Sequence, residues 1–111
     1  MPQFILLLRD ERRPGNGFSP EEMQTLVQKY GDWRRTKATG GQKLTDGEGR
    51  VLRKSNGKPS IIDGPFAEAK EVMGGFFVIE AANFDEAVET AKTCPHMEFG
   101  SIEVRQIQKT S

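Results

Sequence analysis

The sequence is poor in the residue types that most often carry catalysis. Its 111 residues include one cysteine, one histidine, one tryptophan and one tyrosine. The single thiol, Cys94, cannot form an internal disulfide. A lone imidazole, His96, does not provide the closely spaced His and Cys ligands typical of a metal site. We therefore predict no cofactor and no metal centre.

An excess of charge of either sign is also lacking. The 16 acidic and 16 basic residues are mixed along the chain, so no global field attracts nucleic acid or an acidic membrane. The apolar run at residues 4–8 is too short for a signal-peptide core or a membrane span. We expect a cytoplasmic protein that binds neither nucleic acid directly nor a membrane.

Two apolar runs predict the central strands of a sheet. Residues 4–8 and 75–81 are apolar at both odd and even positions, which is typical of strands buried on both faces. Residues 102–108 alternate apolar and charged side chains and predict a last strand. The length of the chain suits a single domain over residues 1–111.

The segment between the central strands is rich in turn residues. Turn residues at 46–49 predict a β-hairpin within residues 42–54. Asn56-Gly57 marks another tight turn, and residues 60–62 form a short strand. Residues 67–73 are polar and are compatible with one helical turn.

Two helices have clear start signals. Ser19, Pro20 and Glu22 form an N-cap, an N1 proline and a capping box, which predicts a helix over residues 19–40. Asn83 caps a second helix over residues 83–94. The apolar stripe predicted for the first helix consists of Met23, Leu26, Val27, Tyr30 and Trp33.

This order of elements predicts an α+β fold. The sequence β-α-β(hairpin)-β-α-β matches the ferredoxin-like plan, an antiparallel sheet with both helices on one face and an inserted β-hairpin. Two helices cover one face, yet the central strands are apolar on both. We therefore expect a homodimer in which a second copy covers the helix-free face.

The tract around residue 63 resembles a known family. Residues 62–68 are similar to the DGPF motif of YCII-related proteins, and further segments match in the same order at 74–81, 85–87, 94–96 and 102–105. The resemblance implies a dimeric α/β-barrel-like assembly of ferredoxin-like domains. Members occur beside or fused to extracytoplasmic-function sigma factors, and related domains carry a His–Asp pair proposed as an active site.

Asp63 and His96 are the candidate catalytic residues. Asp63 follows a strand, where a carboxylate can be held rigidly, although Asp-Gly-Pro is equally good turn chemistry. His96 has an unperturbed pKa suited to acid–base work near neutrality. It also suits a plain loop residue or a cation near a helix end. Cys94 is better explained as a small semi-buried residue than as a nucleophile.

Four further residues are candidates for ligand binding. Phe66 and Lys70 belong to the motif tract, and Arg105 suits either an anion or an ion pair across strands or subunits. Trp33 is either a core residue or the wall of a small cleft.

Two functional hypotheses follow. The first is a small dimeric module that binds a small-molecule ligand or a protein partner and regulates it, with sigma-factor-dependent transcription implied only by the family resemblance. The alternative is a small-molecule enzyme in which Asp63 and His96 form an acid–base pair in an inter-strand cleft. The architecture hosts both kinds of function.

Overall fold

The computed structural model describes residues 1–11, 18–45, 49–64 and 71–109. The chain forms six strands, two α-helices and one short 3-10 helix. In chain order these are β1 (Gln3–Glu11), α1 (Pro20–Lys37), β2 (Gly40–Lys43), β3 (Gly49–Ser55), β4 (Lys58–Gly64), β5 (Glu71–Glu80), α2 (Phe84–Ala91), the 3-10 helix (Pro95–Glu98) and β6 (Gly100–Gln106).

The main sheet has the predicted ferredoxin-like plan. Its four strands run in the order β2-β5-β1-β6, and β1 pairs antiparallel with both β5 and β6. β1 is thus a central strand, as its apolar run predicted. The α+β class predicted from the order of elements is confirmed.

One face of this sheet carries the hydrophobic core. Phe4, Leu6 and Leu8 alternate along β1 and are buried, as are Phe77 and Ile79 of the neighbouring β5. The remaining core residues come from the helices and the segments that follow the strands and helices: Trp33, Ala81, Ala87, Ala91 and Cys94.

The helix start signals are confirmed, while the helix ends differ. Ser19 accepts a hydrogen bond from the Glu22 backbone N–H and completes the predicted capping box. α1 ends at Lys37 rather than near residue 40, because the chain turns there into edge strand β2. Val27 is 63% exposed, so its place in the buried stripe was wrong; it lies on the solvent side of α1.

The second helical segment is shorter than predicted. α2 ends at Ala91, and its N-cap is Asn83, whose side-chain oxygen accepts from the Glu86 backbone N–H. A 3-10 helix then begins at Pro95, which lacks the backbone N–H needed to continue an α-helix.

The predicted hairpin around residues 46–49 was wrong. β2 pairs with β5 in the main sheet, whereas β3 pairs with β4 in a separate two-stranded sheet. The hairpin turn is Asn56-Gly57, with φ of 53° and 78°. These positive φ values are those of a type I′ turn, whose twist matches that of paired strands.

β5 begins earlier than the apolar run indicates. It starts at Glu71, so residues 71–73 are strand and not the helical turn considered for 67–73. Residues 65–70 lie outside the described part. β6 runs over Gly100–Gln106 and begins two residues before the predicted 102–108. None of the described helices is long and apolar enough to cross a membrane.

We predict that Leu6→Ala lowers the free energy of unfolding by about 2–5 kcal/mol, since it leaves a cavity under two helices. Leu6 has no solvent exposure. Val27→Ala is the matched control and should change it by no more than about 0.5 kcal/mol. Urea denaturation measures both, and equal effects would contradict this assignment of the core.

Candidate functional site

The main polar cluster lies where β1 meets α1 and the 3-10 helix. His96 is only 4% exposed, and both of its ring nitrogens are hydrogen-bonded. Nδ1 lies 2.9 Å from the hydroxyl of Tyr30, and Nε2 lies 2.8 Å from the backbone carbonyl oxygen of Arg9. The single imidazole therefore joins three elements of the fold.

The partners of the ring fix its tautomer. A carbonyl oxygen can only accept a hydrogen bond, so Nε2 carries a hydrogen and donates a hydrogen bond to the backbone carbonyl oxygen of Arg9. In the neutral ring, Nδ1 then accepts from the Tyr30 hydroxyl. Gly100 pairs in register with Asp10 and leaves room for this arrangement, since a Cβ there would lie 2.9 Å from Nε2 and would clash with the Arg9 carbonyl.

Tyr30 and Asp10 complete this polar cluster. Burial raises the pKa of Tyr30 above its ordinary value of 10.0, and Cys94, Asp10 and Glu98 add to the shift. Tyr30 is thus a phenol over the physiological range. The Oδ1 atom of Asp10 is buried and has no hydrogen-bond partner among the described residues. We call Asp10, Tyr30 and His96 the polar cluster.

Cys94 adjoins the polar cluster but is poorly suited to nucleophilic chemistry. It is 2% exposed, and burial raises the pKa of its thiol, with a smaller opposing contribution from the backbone N–H of His96. The thiolate is the reactive form, so a raised pKa makes Cys94 a poor nucleophile. Its burial makes it a core residue, which is close to the small semi-buried residue that the sequence favoured.

The structure does not bring Asp63 and His96 together. Asp63 lies in β4 of the two-stranded sheet, its side chain is 92% exposed, and it pairs with Arg50 at 3.5 Å. Asp63 and Gly64 are the last two residues of β4 and both pair with β3. The remaining residue of the predicted Asp-Gly-Pro turn is Pro65. Pro65 lies outside the described residues.

The predicted ligand-binding residues are also dispersed. Trp33 is a core residue, with its Nε1–H donating to the Thr93 hydroxyl at 2.8 Å and its ring against Phe77. Arg105 lies at the other face of the sheet, 3.4 Å from Glu103. Phe66 and Lys70 lie outside the described residues. Within residues 1–11, 18–45, 49–64 and 71–109, no group of three His, Cys, Asp or Glu residues is placed to hold a metal.

The helix-free face of the sheet is the second candidate surface. Leu7 pairs with Phe76 and Ile5 with Val78 across β1 and β5, and all four side chains are only partly buried. We call these four residues the apolar patch. Charged residues border it: Glu103 contacts Arg9 at 3.1 Å and also Arg105.

The family is decided by a match along nearly the whole chain. The family model described as the YCII-related domain matches residues 4–111. The chain belongs to the YCII-related domain family. Its expected dimeric assembly is a separate matter, which the match does not address.

Two similar proteins can be named for this YCII-related domain. The uncharacterized protein R00369 of Rhizobium meliloti (strain 1021) is 43% identical over 59 residues, which cover 51% of this chain and 48% of that protein. The matched stretch thus spans about half the length of that relative. Its name gives no activity.

A solved structure is also similar in outline. It is the 5-chloro-2-hydroxyhydroquinone dehydrochlorinase TftG from Burkholderia phenoliruptrix AC1100, in complex with 2,5-dihydroxybenzoquinone, at 17% identity and a TM-score of 0.45, covering 97% of this chain and 95% of the other. At that distance the likeness carries no argument about the chemistry of this YCII-related domain.

Sequence reasoning missed Asp10 as a site residue and treated Tyr30 only as core. Asp10 lies beyond the apolar run at residues 4–8 from which this strand was predicted, whereas β1 continues through it to Glu11. The signal in the sequence that could have identified Tyr30 was the apolar stripe of the first helix, because that stripe places Tyr30 on the side of α1 that faces the sheet. No pattern in the sequence indicates that His96 and Asp10 lie at the same end of the sheet.

We predict that Tyr30→Phe lowers the free energy of unfolding at neutral pH by about 1–3 kcal/mol, because Nδ1 of a buried His96 loses its donor. Urea denaturation followed by the fluorescence of Trp33, the only tryptophan, measures this loss.

The same variant should also change the stability at high pH. Because the folded-state pKa of Tyr30 is raised, the unfolded chain loses that proton first, and wild-type stability falls as pH rises above about 10. Tyr30→Phe removes this contribution, so its stability should fall less over that range. Parallel pH profiles for the two proteins would contradict the buried hydrogen-bonded phenol.

Proposed function

We propose that this YCII-related domain is a small homodimeric module that binds a small molecule, with the apolar patch buried between two copies. The observation that carries the proposal is the apolar patch itself. Ile5, Leu7, Phe76 and Val78 lie in the middle of the sheet, on the face opposite the core. No described helix covers them.

The composition of the middle of this face favours a partner over solvent. Four neighbouring side chains of the two central strands are aliphatic or aromatic and form one contiguous apolar patch. Contiguous apolar patches on a protein surface often mark sites of protein contact. A two-fold axis through this face would pack the apolar patch of one copy against the same patch of the other copy. Two-fold symmetry is the usual symmetry of a homodimer.

Charges at the border of the patch fit the same arrangement. Arg9 and Arg105 both contact the single carboxylate of Glu103, so the face carries one more positive than negative group among these three. In the proposed dimer, the arginine that each copy has in excess would pair with a carboxylate of the other copy, and such a pair would fix the register of the two sheets. Arg105 was predicted to bind an anion or to form an ion pair across strands or subunits; its contact with Glu103 lies within one chain, so pairing across subunits stays a prediction.

The polar cluster is the proposed ligand site of the module. The buried Oδ1 atom of Asp10 has no partner among the residues that the structure describes, which is costly for a carboxylate, and a ligand that offers a hydroxyl or an ammonium group would satisfy it. Tyr30 lies beside it and is partly exposed. The ligand class is therefore a small molecule that carries a hydrogen-bond donor.

A small-molecule enzyme is the second candidate function, and the polar cluster is the observation that favours it. His96 would accept a proton through Tyr30: a bound hydroxyl gives its proton to the Tyr30 oxygen while Tyr30 gives its own to Nδ1. The carboxylate of Asp10 would stabilise the resulting imidazolium. An acid–base pair of Asp63 and His96 would require the exposed hairpin to move onto the buried ring.

The partners and the cellular location that the sequence implied stay predictions. The sigma-factor partner and the regulatory role derive from the family resemblance alone. The cytoplasmic location derives from the composition of the chain and its short apolar runs.

We predict that the wild-type chain sediments as a dimer at micromolar concentration and that Leu7→Arg shifts it to a monomer. An added charge in the middle of the apolar patch would be buried in the dimer without a partner. Val27→Arg is the matched control, since Val27 is equally aliphatic and 63% exposed on α1. A monomeric wild type would contradict the proposal.

We predict that Asp10 determines ligand binding. A thermal-shift screen with small phenols, alcohols and primary amines should give compounds that raise the melting temperature of the wild type. Asp10→Asn keeps the size of the side chain but removes the charge and one of the two acceptor oxygens, so it should reduce those shifts, most of all for the amines. Asp63→Asn is the control, and shifts that depend on Asp63 instead would contradict a site at the polar cluster.

A further inference from the structure

The β3-β4 hairpin concentrates positive charge. Residues 49–62 contain no carboxylate and four basic side chains, which are Arg50, Arg53, Lys54 and Lys58. The whole chain has 16 acidic and 16 basic residues, so the remaining residues carry an excess of four acidic groups. A segment of one sign within a neutral chain favours contact with a partner of the opposite sign.

β3 has an edge with which no other described strand pairs. It forms a separate two-stranded sheet with β4. In a two-residue hairpin, the residues that flank the turn exchange both backbone hydrogen bonds, and here these residues are Ser55 and Lys58. Backbone groups then alternate in direction along an antiparallel strand. The N–H and C=O groups of Arg50, Leu52 and Lys54 therefore point away from β4.

A proline interrupts the corresponding edge of β4. Pro59 pairs with Lys54, so the same alternation places the proline nitrogen on the outer side of β4, where it has no hydrogen to donate. β3 keeps a donor and an acceptor at each of its three outward positions. The β3 edge can therefore accept an added strand through main-chain hydrogen bonds, which is the mode of peptide recognition called β-augmentation.

The side chains of these outward positions select the partner. Arg50, Leu52 and Lys54 are two residues apart and share one face of the strand, in the order cation, aliphatic, cation. Leu52 is 65% exposed, and Arg50 contacts Asp63 of β4 at 3.5 Å. Opposite charges facing each other across two strands stabilise a sheet, whereas like charges destabilise it.

The same side chains disfavour a second copy of this chain at the β3 edge. Two antiparallel β3 strands centred on Leu52 would place Arg50 of each copy opposite Lys54 of the other. Charged side chains alone are enough to protect an edge from such pairing. An exposed leucine between the two cations is explained by a partner that offers an apolar side chain at that position.

We propose that the β3 edge binds an extended acidic segment of another protein, which adds to the hairpin as a third strand. The segment carries acidic side chains opposite Arg50 and Lys54 and an apolar side chain opposite Leu52. Because side chains on one face of a strand are two residues apart, its sequence pattern is acidic-x-apolar-x-acidic, where x is any residue. This interaction goes beyond the proposed ligand site and involves other residues.

The probe is a peptide of sequence Thr-Glu-Thr-Val-Thr-Glu-Thr, blocked at both ends and added to the isotope-labelled full chain. Its binding should shift the backbone amide resonances of Arg50, Leu52 and Lys54 more than those of Ile61 and Asp63, which lie on the other edge. The control peptide has lysine in place of both glutamates and should cause no shifts. This titration requires no variant of the protein.

Charge reversal distinguishes strand pairing from plain attraction between opposite charges. Lys54→Glu should weaken binding of the peptide about fivefold or more, because it sets two carboxylates opposite each other. Lys58→Glu is the matched control, since it makes the same change of charge in the same hairpin. Lys58 pairs with Ser55 and lies on the other face, so its reversal should weaken binding by less than about twofold.

Three results would overturn the proposal. The first is equal weakening by the two variants, which would indicate attraction by net charge alone. The second is a titration in which the peptide leaves the β3 resonances unchanged. The third is a short DNA duplex that shifts the β3 resonances where the peptide does not, which would assign the basic hairpin to phosphate groups. The amide spectrum of each variant shows that it is folded.

Discussion

The structure depends on a single strand, β1, whose side chains are apolar on both faces of the sheet. It pairs with β5 on one side and with β6 on the other, which makes it a central strand. Phe4, Leu6 and Leu8 are buried under the helices, and Ile5 and Leu7 point the other way. The two helices cover the first of these faces, and the second carries the apolar patch that we propose a second copy buries.

The same strand positions the chemistry. The backbone carbonyl of Arg9 holds the ring of His96, and the next residue is Asp10, whose buried Oδ1 atom has no hydrogen-bond partner in the part of the chain that the structure describes. Tyr30 fixes the ring from α1. The only imidazole of the chain is thus a structural link first, and any acid–base role it has must pass through Tyr30, because neither ring nitrogen is free.

Local chemistry in the sequence predicted much of this fold. The capping box at Ser19 and the cap at Asn83 place the helices, and apolar runs identify β1 and β5. The pairing of β2 was missed because its four residues carry two glycines and no apolar run, so only the tertiary structure shows that it completes the sheet. Asn56-Gly57 was seen as a tight turn, but its role as the hairpin turn depends on which strands pair.

The candidate site was less predictable, for a physical reason. Asp63 stands out in the sequence because of its motif, yet in the fold it is a solvated strand residue paired with Arg50. Asp10 attracts no notice in the sequence, yet among the described residues it is the one with a buried side-chain oxygen that lacks a hydrogen-bond partner. Whether a carboxylate is solvated or buried depends on contacts between distant segments, which composition and spacing do not encode.

The central claim, that two copies bury the helix-free face, is tested most directly by thiol labelling at the middle of that face. Val78→Cys places a reactive group in the apolar patch, while the native Cys94 is 2% exposed and should react slowly. The account predicts that labelling of the introduced thiol slows as the protein concentration rises from nanomolar to micromolar. A fast labelling rate that is the same at every concentration would contradict it.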